Sequence, residues 1–465
     1  MVRDLVIIGG GPGGYVAAIR ASQMGAKVTL IEQDQIGGVC LNRGCIPTKS
    51  YYKNAELLNS AKKLGNFGIE ITDYNFNMEK VQSRKKEVVK KIRSGVEQLM
   101  QGYKIEVIKG RASFVDSKTL HVETDDEEAI EIKAEKIIIA TGSSQAEMPE
   151  PGMDSPRVIT SDDALELDYV PKSMVIYGGG VVAVEFASIF VSFGTKVTII
   201  KYRPRLIRSL DEEISRRLAQ FMKRMRVGVE FGVKLKEVEE TEDGLRLITE
   251  TDNGIKEFEC ERLLVATGRS PNIKGLNLEA AKVEYNEKGI MVNDDFETTA
   301  KGVYAIGDVI GGQLLAHVAS MEGKACVERI FGQNSHVNYN AVPSCVFSFP
   351  EVAVVGLTEE QAKAQEIQYT VGKFLFAANG KAVTMNETDG FIKVIAEKDS
   401  HKILGVHIIG PHASDLIHEG TLAVQQGLTI EQLEETIHSH PTLSETFWEA
   451  VMSAKGEAIH SLPNV

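Results

Sequence analysis

Two stretches of the chain repeat one pattern of apolar and polar positions. Residues 6–32 read VIIGGGPGGYVAAIRASQMGAKVTLIE, and residues 175–201 read VIYGGGVVAVEFASIFVSFGTKVTIIK. Each begins with an apolar run, passes through glycines into an amphipathic segment, and ends in a second apolar run tipped by a charged residue. Short apolar runs predict buried strands, and the segment between them predicts a helix. The repeat therefore predicts two βαβ units, each opening a parallel sheet with a crevice for a nucleotide.

The glycines of the first unit occupy the positions that a dinucleotide requires. Gly9 allows the tight turn out of the strand, Gly11 lets the backbone approach a pyrophosphate, and Gly14 lets the helix pack close to the strand. The N-terminus of the helix then offers free N–H groups to the phosphates. Glu32, at the tip of the second strand, is placed to accept hydrogen bonds from a ribose hydroxyl pair.

The second unit keeps this scaffold and reverses the charge at the strand tip. The positions that match those of the first unit are Gly178, Gly180, Ala183 and Lys201. Two unit charges about 4 Å apart interact by about 1 kcal/mol in water and about 4 kcal/mol at an effective dielectric constant near 20. A lysine here, followed by the forked guanidinium groups of Arg203 and Arg208, predicts a preference for NADP over NAD. The alternative is a solvated basic loop that binds no ligand.

The composition excludes several classes of protein. The 465 residues suffice for about three or four domains. The net charge of −13 argues against nucleic acid as a partner, because phosphate binding needs a basic surface. No apolar run approaches the length of a membrane span, and the N-terminus lacks the pattern of a signal peptide, so we expect a cytoplasmic protein without a membrane partner. The histidines are scattered and no CxxC motif occurs, so no metal site is predicted.

Two further patterns predict local structure. Residues 78–100 predict an amphipathic helix with a basic outer face, and its apolar side would comprise Val81, Val88, Ile92, Val96 and Leu99. A solvated face is a simpler explanation of the basic residues than a site for nucleic acid. Asp243-Gly244 and Asn253-Gly254 follow alternating segments and predict the hairpin turns of a β-meander.

Two of the five cysteines need an explanation of their own. Cys260, Cys326 and Cys345 stand alone in apolar surroundings and are expected to be small buried hydrophobic residues. Cys40 and Cys45 lie close together in a glycine-rich stretch after the first βαβ unit, where they could form a small disulfide ring. A thiol pair beside an electron acceptor is a two-electron relay, and the alternative is a structural disulfide.

The motif around these cysteines, GGVCLNRGCIPTKS, resembles the redox-active disulfide of the flavoprotein disulfide reductases. The resemblance implies FAD at the first dinucleotide site and a nicotinamide at the second. It also implies that Cys40 is the outer sulfur, which exchanges with substrate. Cys45 would be the inner sulfur, which passes electrons to FAD.

Other segments resemble further parts of that family. IIIATGS, which contains Gly142, and LLVATGRSPN, which contains Gly268, are similar to the crossover strands between its nucleotide domains. GVYAIGDVIGG is similar to its flavin-binding segment, in which Asp308 meets the ribityl chain, and Ala316 follows as another cofactor-binding residue.

The C-terminal part completes the resemblance. VPSCVFSFPEVAVVGLTEEQA is similar to the start of the family's dimerisation domain, and HSHPTLSETFWEA to the catalytic segment of its dihydrolipoamide dehydrogenases. This implies that His440, oriented by Glu445, takes a proton from a substrate thiol. In the family this segment reaches the disulfide of the other subunit, which implies a homodimer. His438 receives no role.

Two charged residues are implied to lie near the flavin. Family members pair residues at the positions of Lys49 and Glu185 beside the flavin's reactive nitrogen, where the pair tunes its electronics. The alternative is that either residue is a solvated charge.

The resemblance implies an α/β fold with two Rossmann-like dinucleotide-binding domains and a C-terminal α+β dimerisation domain. The expected boundaries are an FAD-binding domain with the redox disulfide at 1–145, an NAD(P)-binding domain at 146–272, a central domain completing the FAD site at 273–341, and the interface domain at 342–465.

The implied activity is oxidation of protein-bound dihydrolipoamide, with a lipoyl-bearing protein of a 2-oxo-acid dehydrogenase or glycine-cleavage complex as partner. NADP-using relatives share the alanine at Ala183 and carry a basic residue at the position of Arg208, which supports NADP as the acceptor. Two alternatives stay open. One is an NADPH-dependent reductase of another disulfide, similar to glutathione reductase, and the other is a non-catalytic scaffold or nucleotide sensor.

Overall fold

The computed structural model describes residues 2–124, 126 and 129–462, and strands and helices alternate along the chain. The first elements are β1 (Val2–Ile8), α1 (Pro12–Gln23), β2 (Val28–Glu32), α2 (Gly38–Arg43), α3 (Cys45–Ala61), a 3₁₀ turn (Leu64–Phe67), α4 (Met78–Gly102), β3 (Glu106–Asp116), β4 (Thr119–Thr124), β5 (Ala129–Ile139) and β6 (Ser143–Gln145). The next are β7 (Val158–Ile159), α5 (Ser161–Ala164), β8 (Ser173–Tyr177), α6 (Val181–Phe193), β9 (Lys196–Lys201), α7 (Glu212–Arg224), β10 (Gly228–Phe231), β11 (Lys234–Glu240), β12 (Leu245–Thr251), β13 (Gly254–Cys260), β14 (Arg262–Val265) and β15 (Arg269–Pro271).

The remaining elements begin with two short strands and end in a helix. They are β16 (Tyr285–Asn286), β17 (Gly289–Ile290), β18 (Val303–Ala305), a 3₁₀ turn (Gly307–Ile310), α8 (Ala316–Ile330), a 3₁₀ turn (Tyr339–Ala341), β19 (Ser344–Val346), β20 (Glu351–Gly356), α9 (Glu359–Ala364), β21 (Tyr369–Leu375), a 3₁₀ turn (Phe376–Ala378), α10 (Gly380–Met385), β22 (Phe391–Glu397), β23 (Ile403–Gly410), α11 (Ala413–Gln426), α12 (Ile430–Glu434) and α13 (Glu445–Ser453). Among the described residues, no helix is both long and apolar enough to cross a bilayer.

The first sheet is built around the first βαβ unit. Its parallel strands lie in the order β3-β2-β1-β5-β18, and β4 pairs antiparallel with β3 and β5. Val6 packs into the core on one face of β1, whereas Leu5 and Ile7 pack into the core on the other face. A strand that is buried on both faces needs apolar residues at every position, which explains the uninterrupted apolar run.

The second sheet repeats this arrangement. Its strands lie in the order β10-β9-β8-β14-β7, and all of them are parallel. β11, β12 and β13 form a separate antiparallel sheet through two tight hairpins, so the predicted β-meander is confirmed.

The C-terminal part is an antiparallel sheet covered by helices. The strand order is β19-β20-β23-β22-β21, with α11 against β20 and β23 and α13 against β21 and β22. The predicted fold class, two Rossmann-like units followed by an α+β domain, is therefore confirmed. The exact domain boundaries stay a prediction.

The amphipathic helix differs in detail from its prediction. α4 covers the predicted residues, and Val81 and Val96 are buried, but Ile92 and Leu99 are 41% and 46% exposed. Lys85 is buried on the same side of the helix as Val81, and its ammonium group donates a hydrogen bond of 2.7 Å to the carbonyl oxygen of Leu165. Through Lys85 the helix therefore makes a polar contact with the second nucleotide-binding region.

A buried ion cluster joins the second nucleotide-binding region to the C-terminal sheet. Lys393 in β22 is 1% exposed, and its Nζ lies 2.9 Å from Oδ1 of Asp211 and 3.4 Å from Oε2 of Glu213, with Glu359 in close contact. Although burial works to raise the pKa of Asp211, the hydrogen bond from Lys393 lowers it overall. These three carboxylates lie close enough to share a cation, and the ammonium group of Lys393 takes that role.

We predict that Lys393→Met weakens this junction by about 3–5 kcal/mol, because it leaves the buried carboxylate of Asp211 without its counter-charge. The measurement is the midpoint of thermal unfolding. Lys373→Met is the matched control: Lys373 also pairs with Glu213, but its side chain is 41% exposed, so we expect a loss of about 1 kcal/mol or less.

The same variant has a characteristic pH dependence. In the wild type the pKa of Asp211 is lowered, so the free energy of folding that its carboxylate contributes is constant above the ordinary carboxyl pKa. This contribution is lost as the pH falls below the ordinary carboxyl pKa toward the lowered one. In Lys393→Met the unpaired buried carboxylates take up protons more readily, so the deficit relative to the wild type should shrink between about pH 8 and about pH 5. A deficit that grows toward pH 5 would contradict the assignment.

Candidate active site

The first glycine loop is built to hold a pyrophosphate. A Cβ atom on Gly14 would meet the carbonyl oxygen of Gly9 at 1.8 Å, so α1 packs against the loop only with glycine at this position. Gly9 has φ +104°, and a Cβ there would meet the carbonyl oxygen of Ala140 at 2.4 Å. α1 begins after Gly11, and no side chain caps its N-terminus, so its first N–H groups point free toward the crevice.

Glu32 lies at the tip of β2 as predicted. Its Oε2 accepts the N–H of Gly10 at 2.6 Å and its Oε1 accepts the N–H of Asp34 at 2.7 Å. It borders a cavity of about 550 Å³ that α4 and β3 also line, large enough for an adenosine group. The site predicted for a ribose therefore has both an acceptor and space beside it.

Three other predicted residues, Asp308, Gly142 and Gly268, lie at or beside the paired strands β6 and β15. Asp308 accepts a hydrogen bond from Oγ of Ser143 at 2.5 Å, next to Gly142, which has φ +71°. Gly268, with φ +144°, accepts the N–H of Ala146 at 3.1 Å on the neighbouring crossover strand.

Ala316 lies at a second helix end. It is the first residue of α8, whose N-terminus has no side-chain cap and which packs against α1. Two uncapped helix ends, a glycine loop and an acceptor for a ribose fit FAD.

The second glycine loop repeats this geometry with opposite polarity. Gly178 has φ +134° and passes close to the carbonyl oxygen of Ala266, and Gly180 has open space beside it. Ala183 is fully buried, so α6 leaves room for a methyl group where α1 leaves none. At the strand tip, Nζ of Lys201 donates to the carbonyl oxygen of Gly179 at 3.3 Å. The first unit presents an acceptor at this point and the second presents a donor.

The cations beyond β9 differ in their partners. Arg203 and Arg208 are exposed, and among the described residues their side chains make no hydrogen bond or ion pair. Burial lowers the pKa of Lys201, and the nearby charges of Arg203 and Arg208 lower it further. Arg205, in contrast, is bound to Glu360 and to backbone carbonyl groups. The loop thus holds three like charges without a counter-ion, which favours an anionic ligand.

The two cysteines lie on either side of the junction between two helices. Cys40 lies in α2, Cys45 begins α3, and Gly44 stands between the two helices. Both are free thiols that hydrogen-bond to each other. The hydrogen bond from Cys40, aided by the charge of Lys49, lowers the pKa of Cys45 to about 7. The same hydrogen bond and burial raise the pKa of Cys40, so Cys45 is the thiolate of the pair near neutral pH.

Lys49 and Glu185 form the predicted pair. Nζ of Lys49 lies 3.0 Å and 2.9 Å from the two carboxylate oxygens of Glu185, whose side chain is 5% exposed. The N–H of Phe347 donates to the same carboxylate at 3.0 Å, and the ammonium group lies 4.4 Å above the ring of Phe347. Glu185 is therefore not a solvated charge, and its pair lies close enough to Cys45 to act on the pKa of that thiol.

The C-terminal histidine is oriented by the predicted glutamate. Nδ1 of His440 and Oε1 of Glu445 are 2.8 Å apart, and Oε2 of Glu445 accepts the N–H of Thr442 at 2.8 Å. Burial works to raise the pKa of Glu445, but these two hydrogen bonds lower it overall, so it stays a carboxylate. The side chain of His440 is 78% exposed, and among the described residues it contacts no group of the first nucleotide-binding region.

His438 has a different environment. Its side chain is 7% exposed, its Nε2 lies 2.8 Å from Glu419, and its ring lies 6.3 Å from that of Trp448. His438 therefore supports the C-terminal segment from within.

Sequence reasoning missed two features of the site. The Phe347 N–H that holds Glu185 is a backbone group, so no residue type in the sequence could indicate it. The Arg205–Glu360 contact joins positions that are 155 residues apart. Of the isolated cysteines, Cys260 and Cys326 are buried as predicted, whereas Cys345 is only half-buried.

We predict opposite effects of the two members of the ion pair on Cys45. Lys49→Gln should raise the pKa of this thiol, because it removes a cation that lowers it, and Glu185→Gln should lower the pKa. The measurement is the pH dependence of Cys45 alkylation in the reduced protein. Lys53→Gln, on the same helix but exposed and paired with Glu56, should leave the profile unchanged. Shifts of the same sign in both variants would contradict the electrostatic coupling.

Comparison with known proteins places the chain in a family. The sequence profile of pyridine nucleotide-disulphide oxidoreductases matches residues 3–323, and that of their dimerisation domain matches residues 342–451. The dihydrolipoyl dehydrogenase of Bacillus subtilis is 42% identical over 468 residues, which cover 98% of this chain and 99% of that protein. The mitochondrial dihydrolipoyl dehydrogenase 2 of Arabidopsis thaliana is 39% identical, over 98% of this chain and 91% of its own. The crystal structure of LpdA from Mycobacterium tuberculosis has a TM-score of 0.91 at 26% identity and covers 97% of this chain and 99% of its own. The chain belongs to the pyridine nucleotide-disulphide oxidoreductase family.

Proposed function

We propose that the chain is a dihydrolipoyl dehydrogenase that oxidises the dihydrolipoamide of a lipoyl-bearing protein and reduces a nicotinamide. The observation that carries this proposal is the pair of free thiols, Cys40 and Cys45, which lies beside the Lys49–Glu185 ion pair; the hydrogen bond from Cys40 and the charge of Lys49 lower the pKa of Cys45. Such a pair separates an exchanging sulfur from an electron-donating one. The two glycine loops supply sites for two dinucleotides, and relatives named dihydrolipoyl dehydrogenase cover the whole length of the chain.

These residues can carry out two thiol–disulfide exchange steps that start from the Cys40–Cys45 disulfide. His440 accepts the proton of one substrate thiol, and the resulting thiolate attacks Sγ of Cys40, which breaks the disulfide and releases Cys45 as a thiolate. The second substrate thiol, after losing its proton, attacks the mixed disulfide. Its sulfur forms the lipoamide disulfide, and the thiolate of Cys40 takes up a proton. Bound FAD would supply two-electron transfer from the reduced cysteine pair to the nicotinamide; Cys40 and Cys45 would then close again to the disulfide, with release of the proton on Cys40.

Glu445 fixes the tautomer of His440. By accepting a hydrogen bond at Nδ1 it leaves Nε2 free to take a proton and stabilises the imidazolium that forms. Because His440 is exposed and contacts none of the flavin-domain residues described, we infer that it acts on the cysteines of a second copy in a homodimer. The match of residues 342–451 to a dimerisation domain supports this arrangement.

The electron acceptor is inferred to be NADP rather than NAD. Lys201, Arg203 and Arg208 form a cationic rim at the tip of β9, where NAD-binding units carry an acid, and no carboxylate of the described part of the chain pairs with them. A 2′-phosphate would supply the missing anion. The same rim supports the alternative activity, an NADPH-dependent reductase of another disulfide, and comparing turnover of dihydrolipoamide with turnover of glutathione disulfide separates the two.

Two further points stay predictions. A 2-oxo-acid dehydrogenase or glycine-cleavage complex is the expected source of the lipoyl partner. A cytoplasmic location is the other.

We predict that His440→Asn lowers kcat with dihydrolipoamide by about 10²–10⁴-fold, because the proton acceptor is lost. His401→Asn is the matched control, since His401 also forms an exposed pair with a carboxylate, Glu431, and should retain full activity. Both variants should unfold at nearly the wild-type temperature.

Mixed dimers test whether the site is shared between two copies. Neither His440→Asn nor Cys45→Ser homodimers should be active, but a mixed dimer contains one site with an intact Cys45 from one copy and an intact His440 from the other. We expect about half of the wild-type activity in such dimers. Mixed dimers as inactive as their parents would show that each site is built from one copy.

We predict that Lys201→Glu reverses the cofactor preference. The substitution places an acid at the strand tip, which accepts from a 2′-hydroxyl and repels a 2′-phosphate, a change of about 1–4 kcal/mol for each like-charge contact. The measurement is kcat/KM with NADP and with NAD. Lys196→Glu changes the net charge equally at the other, exposed end of β9 and should leave the ratio unchanged. A wild type that prefers NAD would refute the cofactor assignment.

A further inference from the structure

Arg205 differs from the other cations in the loop between β9 and α7. Its Nη1 donates to Oε1 of Glu360 at 2.7 Å, and its Nη2 donates to the carbonyl oxygen of Arg208 at 3.0 Å and, in close contact, to that of Leu210. Its guanidinium group therefore faces its own loop and α9 of the C-terminal region. Both terminal nitrogens of this guanidinium group are thereby engaged, and its Nε, which has no partner among the described residues, is buried, so the group has little left for a ligand.

A backbone hydrogen bond and two buried side chains also hold this loop in place. The N–H of Ile207 donates to the carbonyl oxygen of Gly179 at 2.7 Å, which ties the loop to the second glycine loop. Leu206 and Ile207 are buried in the core. Ile207 adopts φ +40°, a conformation that costs energy and persists only where the surrounding contacts enforce it. These contacts fix the middle of the loop, and Arg205 fixes the backbone at Arg208, which carries an outward cation.

We propose that Arg205 is a positioning residue for cofactor selection, which together with Glu360 clamps the loop so that Arg203 and Arg208 face the 2′-phosphate of the nicotinamide cofactor. This inference rests on the proposed preference for NADP. Long arginine side chains lose rotational freedom when they bind, and a loop that is held in place beforehand lowers this cost. Because Glu360 belongs to the C-terminal region, cofactor selection depends on a contact between two parts of the fold.

The test compares Arg205→Gln, Glu360→Gln and the double variant with Arg224→Gln as the matched control. Arg224 lies in α7 and pairs with Asp389, so its ion pair also connects the second nucleotide-binding region to the C-terminal region, but it does not touch the loop. The probes are 2′,5′-ADP, which carries the 2′-phosphate, and 5′-ADP, which lacks it. Calorimetry gives their affinities, and hydrogen exchange of the unliganded protein reports on the amides of residues 202–210.

We expect 2′,5′-ADP to bind about 5-fold to 10-fold more weakly to Arg205→Gln and to Glu360→Gln, while 5′-ADP binds as to the wild type. The double variant should bind no more weakly than Arg205→Gln, because both changes open the same clamp. The amides of Ile207 and Leu210 should exchange faster in these variants and not in Arg224→Gln.

Different results would overturn different statements. If Arg205 touched the phosphate directly, Glu360→Gln would free it and leave the affinity for 2′,5′-ADP unchanged or stronger, which would overturn the positioning role. A wild type that prefers 2′,5′-ADP, with unchanged affinity and exchange in Arg205→Gln, would overturn the clamp alone. Equal affinity of the wild type for both probes would overturn the preference for NADP and this inference with it.

Discussion

The ion pair of Lys49 and Glu185 is the contact on which the active site depends. Glu185 is buried on α6 of the second βαβ unit, Lys49 lies on α3 next to the cysteines, and the N–H of Phe347 comes from the C-terminal region. A buried carboxylate is costly unless it is paired and hydrogen-bonded, so this one group requires three separate parts of the chain to meet at one point. That point borders Cys45, so the contact that joins the regions also tunes the thiol.

The two nucleotide units show how one backbone serves two ligands. Each places a strand tip over the second glycine of its loop. In the first unit this contact runs from the N–H of Gly10 to a carboxylate, and in the second from an ammonium group to the carbonyl oxygen of Gly179. The scaffold fixes the position and the side chain fixes the sign of the charge, so a single substitution at the tip can change which adenosine group is favoured without disturbing the fold.

The C-terminal region contributes in two directions. Toward its own chain it provides Lys393, Glu359 and Glu360, which hold the second nucleotide-binding region and the loop that follows β9. Toward solvent it presents His440, oriented by Glu445 but without a described neighbour among the flavin-domain residues. An oriented and exposed imidazole is chemically incomplete by itself, which is the physical reason for expecting a second copy to complete the site.

The amino-acid sequence alone determined the repeated βαβ units, the glycine positions, the thiol pair and the charge at each strand tip, because all of these depend on residues close together in the chain. The resemblance to the family indicated the pairing of His440 with Glu445, five residues apart. Only the tertiary structure decided that Lys85 is buried, that Ile92 is exposed, and that Arg205 faces Glu360 rather than solvent. Those outcomes depend on which distant surfaces pack together, and a periodic pattern carries no information about the partner that a side chain will meet.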